Sequence, residues 1–225
     1  MISARSVSKK WGDIVALDNV SFEISAGEFA FLTGPSGSGK TTLLRLILRE
    51  VKADHGVMAV DGHDLAKLAV NKLPAYRRAL GVVFQDFKLL SDRDVAENVS
   101  LPLQVRSAKD SEIRQAVKES LEVVGLTARA KLFPAQLSGG ELQRAAMARA
   151  IVGRPKIILA DEPTGNLDPK TAKAIVKLLV AIHKELKTTV VMATHNADIV
   201  NSLNLRVIAL DEGKVIKDSP KGKYE

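Results

Sequence analysis

Apolar positions along this chain follow two periods in turn, and each switch marks a change of element. Phe22 and Ile24 alternate with polar neighbours, which predicts a short strand, and Ser25-Ala26-Gly27-Glu28 turns the chain. Phe29-Ala30-Phe31-Leu32 is a continuous apolar run, the pattern of a strand covered on both faces. At Lys40 the period becomes helical, with Leu43, Leu44, Ile47 and Leu48 on one stripe. Val82-Val83-Phe84 predicts a second buried strand. From about Ser91 to Gly153 the pattern is mostly helical; Ile113, Val117, Leu121 and Val124 keep helical spacing, and Gly125 is placed to end that helix. After Pro155 strands return at Ile157 to Ala160, Val190 to Ala193 and Val207 to Leu210, with a helix from Lys170 to Glu185 between the first two. Strands alternating with helices predict an α/β fold with a parallel sheet, and the helical middle reads as an insertion.

Composition narrows the class. The chain has 225 residues, 46% hydrophobic and 26% charged, ordinary values for a soluble globular protein with a core of its own. It has no cysteine, which excludes disulfides, thiolate metal sites and cysteine nucleophiles. Lys and Arg outnumber Asp and Glu by 33 to 26, a net charge of +7 that favours an anionic partner without choosing among nucleotide, nucleic acid and membrane surface. No apolar run reaches the roughly 18 residues of a membrane span, and Ile175 to Ile182 is broken by Lys177. Met1 to Lys10 lacks the apolar core of an export signal, so a cytosolic protein is expected. The glycosylation patterns at Asn19 and Asn98 therefore carry no weight.

The chemistry-bearing motifs start at Gly34-Pro35-Ser36-Gly37-Ser38-Gly39-Lys40-Thr41. This run fits G-x-x-x-x-G-K-[ST] at every fixed position, follows a predicted buried strand and opens a predicted helix. The glycines let backbone N–H groups converge on phosphate oxygens, and the helix N-terminus adds favourable dipole charge. Lys40 is expected to reach the β- and γ-phosphates, Thr41 to place its hydroxyl on Mg²⁺, and Thr42 to join the nucleotide-binding set. The strand Ile157 to Ala160 delivers Asp161 and Glu162 to its C-terminal edge, where open α/β sheets bind ligands. Adjacent residues face opposite ways, so Asp161 is expected at the metal and Glu162 as the general base for an attacking water. Leu137-Ser138-Gly139-Gly140-Glu141 precedes an Ala-rich helix. Read alone it is first a capping box, Ser138 with Glu141, and in principle a second phosphate-binding helix start.

The phosphate loop, LSGGE and the Asp-Glu strand end, in that order, resemble the ATP-binding-cassette (ABC) ATPases over essentially the whole chain. That resemblance implies a single domain over residues 1–225: a P-loop NTPase with a RecA-like core, an N-terminal antiparallel β subdomain, and a helical subdomain inserted at about 90–152. It implies ATP and Mg²⁺, and a second copy whose Ser138, Gly139, Gly140 and Glu141 close over ATP held by the first. Gln85 matches the glutamine that senses Mg²⁺ and the attacking water, and His195 the histidine that contacts the γ-phosphate. Asp168, in Asn166-Leu167-Asp168, matches the loop lying across the dimer interface. Trp11 stands where the family usually stacks Tyr or Phe on adenine, and an indole stacks at least as well. His55, His63 and His183 match nothing and are expected at the surface; Leu142 departs from the usual Gln after the signature.

Phe84-Gln85-Asp86-Phe87-Lys88-Leu89-Leu90, then Asp92-Arg93 and Glu97-Asn98-Val99, is similar to the branch of the family that serves bacterial cell division, as are Arg77-Arg78 and Leu43-Leu44-Arg45-Leu46-Ile47. This implies an integral membrane partner docking around Phe87, Leu89 and Leu90, an ATP-driven homodimer at the cytoplasmic membrane face, activation of peptidoglycan hydrolases, association with division-ring proteins, and no nucleic acid. A lipoprotein-release or macrolide-efflux transporter ATPase is the rival, and differs mainly after Gln85. A chromosome-structure ATPase would carry long heptad insertions, which this sequence lacks.

Overall fold

The computed structural model describes residues 1–224. In chain order the elements are β1 (Ile2–Trp11), β2 (Ile14–Ile24), β3 (Phe29–Thr33), α1 (Lys40–Ile47), β4 (His55–Val60), β5 (His63–Asp64), α2 (Leu73–Arg78), β6 (Leu80–Val83), α3 (Val95–Gln104), α4 (Asp110–Val123), α5 (Gly139–Ile151), β7 (Ile157–Asp161), α6 (Pro169–Leu186), β8 (Thr189–Ala193), α7 (Ala197–Leu203), β9 (Arg206–Asp211) and β10 (Lys214–Ser219). The chain divides into two compact units, Met1–Arg77 with the residues from Thr189 onward, and Arg78–Thr188.

The first unit holds two sheets. One is antiparallel, in the order β2-β1-β4-β5. Its buried side is built from Ile2, Ala4, Val7, Leu17, Val20, Phe22, Ile24, Met58 and Val60. The pairing of β1 with β2 shifts register between Ala4 and Val7, where Ser6 takes a left-handed φ of 50°. In the other sheet β3 runs parallel to both β8 and β9, and β10 pairs antiparallel with β9. Every residue of β3 and β8 is buried, as the unbroken apolar runs require. Arg206 ties this sheet at one end, donating to Glu28 at 2.9 Å and to both carboxylate oxygens of Asp218. The strand expected at Phe22 and Ile24 is the end of an eleven-residue strand.

In the second unit β6 and β7 pair in parallel, Val82 opposite Leu159 and Val83 opposite Ala160. Phe84, expected in the strand, lies beyond its end. The helical middle is α3, α4 and α5. Asp94 and Glu97 close a capping box at the start of α3. Gly125, at φ 68°, ends α4 as the spacing predicts: its N–H bonds Glu122 and that of Leu126 bonds Leu121, the paired reversal of a Schellman turn. Val117, Leu121, Val124 and Leu126 are buried there. His183, expected at the surface, is half-buried on α6 with Nδ1 2.8 Å from the Thr188 carbonyl; His55 and His63 are exposed.

Candidate nucleotide site

The site motifs fall into two groups, one on each unit. In the first, β3 ends at Thr33 and the chain loops to α1 through Gly34–Gly39. Two positions there need glycine. Gly34 has φ 140°, and a Cβ would lie 2.0 Å from the Leu210 carbonyl oxygen; Gly39 has φ 103°, and a Cβ would lie 2.5 Å from the Ala16 carbonyl oxygen. The loop is thus pressed onto its own unit at both ends while Pro35, Ser36 and Gly37 stay exposed. Lys40 is buried, and its ammonium donates to the carbonyls of Gly34 at 2.8 Å and Pro35 at 2.9 Å, which fixes its charge within the loop. The Ser38 hydroxyl is buried without a hydrogen-bond partner. A buried orphan hydroxyl, a lysine folded into the loop and an uncapped helix start fit a phosphate group. Thr41 is exposed and Thr42 half-buried at the start of α1.

His195 follows β8, whose register sets Leu32 opposite Ala193, and the Thr194 N–H bonds the Leu32 carbonyl at 3.0 Å. The exposed His195 therefore stands at the same C-terminal strand edge as the phosphate loop. Trp11, 40% exposed, is no core anchor. Two cations sit over its ring, Lys9 Nζ at 5.1 Å and the Arg45 guanidinium carbon at 5.3 Å from the centroid. Lys9 pairs with Asp54 and Arg45 with Glu50. Sequence reasoning missed both cations. Lys9 lies two residues before Trp11 on one strand face and could have been found by period; Arg45 reaches the ring only through the fold.

In the second unit the parallel pairing of β6 with β7 brings Gln85, Asp161 and Glu162 to one strand edge. Gln85 is exposed; Asp161 and Glu162 are half-buried. Glu162 has φ 45°, an uncommon setting for a residue other than glycine and the kind of strain that gathers at working sites. Asn166 holds Gln85 from both ends: its Nδ2 donates to the Gln85 carbonyl at 3.1 Å, and Gln85 Nε2 approaches Asn166 Oδ1 at 3.5 Å. Asp168 caps α6, accepting from the N–H groups of Lys170 and Thr171, each at 3.0 Å. The Thr171 side chain first, then these N–H groups, hold its carboxyl below the usual carboxylate range.

The signature forms the expected capping box. Ser138 donates to Glu141 Oε2 from its N–H at 2.9 Å and from its hydroxyl at 2.8 Å, and accepts the Glu141 N–H. Arg129 donates to the other carboxylate oxygen at 3.0 Å. The Ser138 bonds, followed by that of Arg129, pull the Glu141 carboxyl down to about 2. A Cβ on Gly140 would meet the Thr171 methyl at 2.7 Å and one on Gly139 the Leu167 side chain at 3.3 Å, so the signature lies against the loop and helix start around Asp168. Phe87 and Leu89 are half-buried, and Leu90 is 43% exposed.

The family model described as ABC transporter matches residues 17–165. The cell division ATP-binding protein FtsE of Streptococcus pneumoniae is 47% identical over all of this chain and 97% of its own length, and FtsE of Bacillus subtilis 45% over all of this chain and 98% of its own. The dimeric structure of the cassette MJ0796, in a post-hydrolysis state bound to ADP and Pi, matches with a TM-score of 0.87 and 37% identity over the whole of both chains. Likeness at this level, running from end to end, means that the chain belongs to the ABC ATPase family as an FtsE-like member.

Proposed function

We propose that this chain is the ATP-binding and hydrolysing subunit of a bacterial cell-division complex, acting as an ATP-dependent homodimer on an FtsX-like integral membrane protein. The observation that carries the reading is the whole-length likeness to FtsE proteins. The reaction is ATP + H₂O → ADP + phosphate. Residues 1–225 act as one cassette, with helices inserted at about 90–152.

The roles of the phosphate loop, Asp161 and Glu162 rest on residue chemistry, and those of Gln85, His195, Trp11, the signature and Asp168 on the family resemblance. Gly34, Pro35, Ser36, Gly37, Ser38 and Gly39 present N–H groups to the phosphates, and Lys40 sets its charge against the β- and γ-phosphates. Mg²⁺, when bound with ATP, neutralises charge that builds on the phosphate oxygens. Thr41, Gln85 and Asp161 offer the hard oxygen ligands it prefers. Glu162 takes a proton from the attacking water, Gln85 and His195 orient the reacting groups, and Trp11 stacks on the base. Ser138, Gly139, Gly140, Glu141 and Asp168 act toward ATP held by the other copy.

Phe87, Leu89 and Leu90 form the contact for an apolar-faced cytoplasmic helix of the membrane subunit, which places the chain at the cytoplasmic membrane face in the company of division-ring proteins. Among the described residues no helix is long and apolar enough to cross a membrane. Affinity purification of the chain from detergent-solubilised native membranes tests the reading. A recovered four-helix subunit with a large extracytoplasmic loop supports it; a many-helix permease replaces it with a transporter motor. Glu162→Gln is expected to keep ATP and trap the dimer, so a chain that elutes only as monomer with ATP in gel filtration counts against the dimer cycle.

A further inference from the structure

Between Gln85 and Leu90 the chain makes a turn that its own residue types do not favour. Phe87 and Lys88 are both left-handed, at φ 60° and 49°, and neither is glycine. Two such residues in succession persist only where their surroundings over-determine them. Within the turn the Phe87 N–H bonds the Phe84 carbonyl, the Lys88 N–H the Asp86 carbonyl, and the Lys88 ammonium pairs with Asp86. The side chain that grips it from another element is Arg149. Arg149, on the last turn of α5, donates one guanidinium nitrogen to the Phe87 carbonyl at 2.7 Å and the other to the Lys88 carbonyl. Its planar fork thus grips both strained peptides with two separate nitrogens, where a lysine would have to reach both carbonyls from a single atom on a shorter, flexible stem. Burial pulls its pKa below the ordinary arginine value, as befits a cation that uses its donors on carbonyls.

The segment has two further anchors. Asn166 holds Gln85 at the nucleotide end. The fully buried Asn98 accepts the Leu90 N–H at 2.7 Å and donates to the Leu90, Arg93 and Asp94 carbonyls at 3.0 Å each. Gln85 and Leu90 are therefore fixed by neighbours other than Arg149, whose own bonds in this segment fall on the Phe87–Lys88 turn. Arg149 belongs to the helix capped by Ser138, so its bonds tie the turn to the signature helix.

We propose that Arg149 is a positioning residue that couples the signature helix to the partner contact, by holding the Phe87–Lys88 turn in the conformation that the membrane subunit recognises. This rests on the reading that residues 87–90 meet that subunit. Lys88 carries the independent check. Glycine adopts a left-handed φ at no steric cost, so Lys88→Gly lowers the strain that Arg149 otherwise restrains.

The test uses the complex reconstituted in membranes beside the chain alone. ATP affinity is read from the fluorescence of the sole tryptophan, Trp11, and turnover from phosphate release. Arg149→Gln is expected to leave ATP affinity and the turnover of the chain alone within about twofold, and to weaken binding to the membrane subunit about tenfold. Arg149→Lys is expected to fail likewise, because it keeps the charge and loses the fork. Adding Lys88→Gly to Arg149→Gln is expected to restore most of the coupling. Wild-type coupling in Arg149→Gln overturns the inference. So does a parallel fall of ATP affinity, solitary turnover and melting temperature that Lys88→Gly does not repair, the signature of a merely structural arginine. A wild-type chain that binds no membrane subunit sinks the functional reading first, and the inference with it.

Discussion

Two helices of this molecule begin on glycine-rich loops, and they begin differently. α1 starts from Gly39 with no side-chain cap and no acidic residue in its first turn. α5 starts from Ser138 with a complete capping box and Glu141 in its first turn. The first N–H groups of any helix need acceptors, and the dipole there favours negative charge. α5 supplies both from its own sequence. α1 does not, and the same region holds the orphaned Ser38 hydroxyl and the buried Lys40. Glycine and serine at a helix start therefore say little by themselves. The cap distinguishes a loop built to receive a phosphate from a helix end already complete, which then needs a second ligand-bearing surface brought to it.

The largest expected effect lies on the uncapped side. Lys40→Met should lower phosphate release at least about a thousandfold, since turnover here depends on placed charge. Turnover within tenfold of wild type would remove α1 as the primary anion site. Next comes a matched glycine pair. Gly39→Ala forces a Cβ against the Ala16 carbonyl and the Leu17 side chain at positive φ, and should cost about 2–4 kcal/mol of stability. Gly139→Ala meets only a movable Leu167 methyl and should cost under about 1 kcal/mol while still cutting turnover. Equal losses of melting temperature in the two variants would erase the distinction.

The smallest effect concerns the cap itself. Glu141→Gln should cost about 1 kcal/mol at neutral pH, the ordinary worth of an N-terminal carboxylate. The folded Glu141 carboxyl titrates near 2, below its unfolded value, so its stabilisation is present above the unfolded pKa of about 4.3 and drains away as the pH falls through the folded one. The melting-temperature gap between wild type and Glu141→Gln should be constant above about pH 5 and close on approach to about pH 2. A gap that widens with acid would contradict the assignment.

The longer helices α1, α4 and α6 and the buried strands were legible because their apolar periods are clean, and the site motifs because their spacing is rigid; the short α2 and α7 were not. β1, β4 and β10 were not. β1 carries Arg5, Ser6, Lys9 and Lys10, and its register shifts break the alternation that would reveal a strand. β10 alternates half-buried with exposed positions, but two of its three half-buried residues are Lys217 and Ser219, and the exposed Asp218 shows no strand role until Arg206 is found beside it. The cap at Ser138 was readable because both partners lie within one turn. The Arg149 clamp was not, because it joins residues about sixty positions apart and because no local signal makes Phe87 or Lys88 left-handed. The cations over Trp11 divide the same way: Lys9 is local in sequence, Arg45 is not.

The close seat of Gly34 on Leu210 has a genetic consequence. The floor beneath the phosphate loop is made by β9 and the turn after it: the Gly213 N–H bonds the Ser38 carbonyl, and the Gly213 carbonyl takes the Asp18 N–H. Every candidate nucleotide residue, from Trp11 to His195, is encoded upstream of that floor. A premature stop codon just after His195 would yield a chain with its whole motif inventory intact on paper and no ledge for the loop to rest on. Such an allele should behave as a null, although a survey of its motifs would score it as functional.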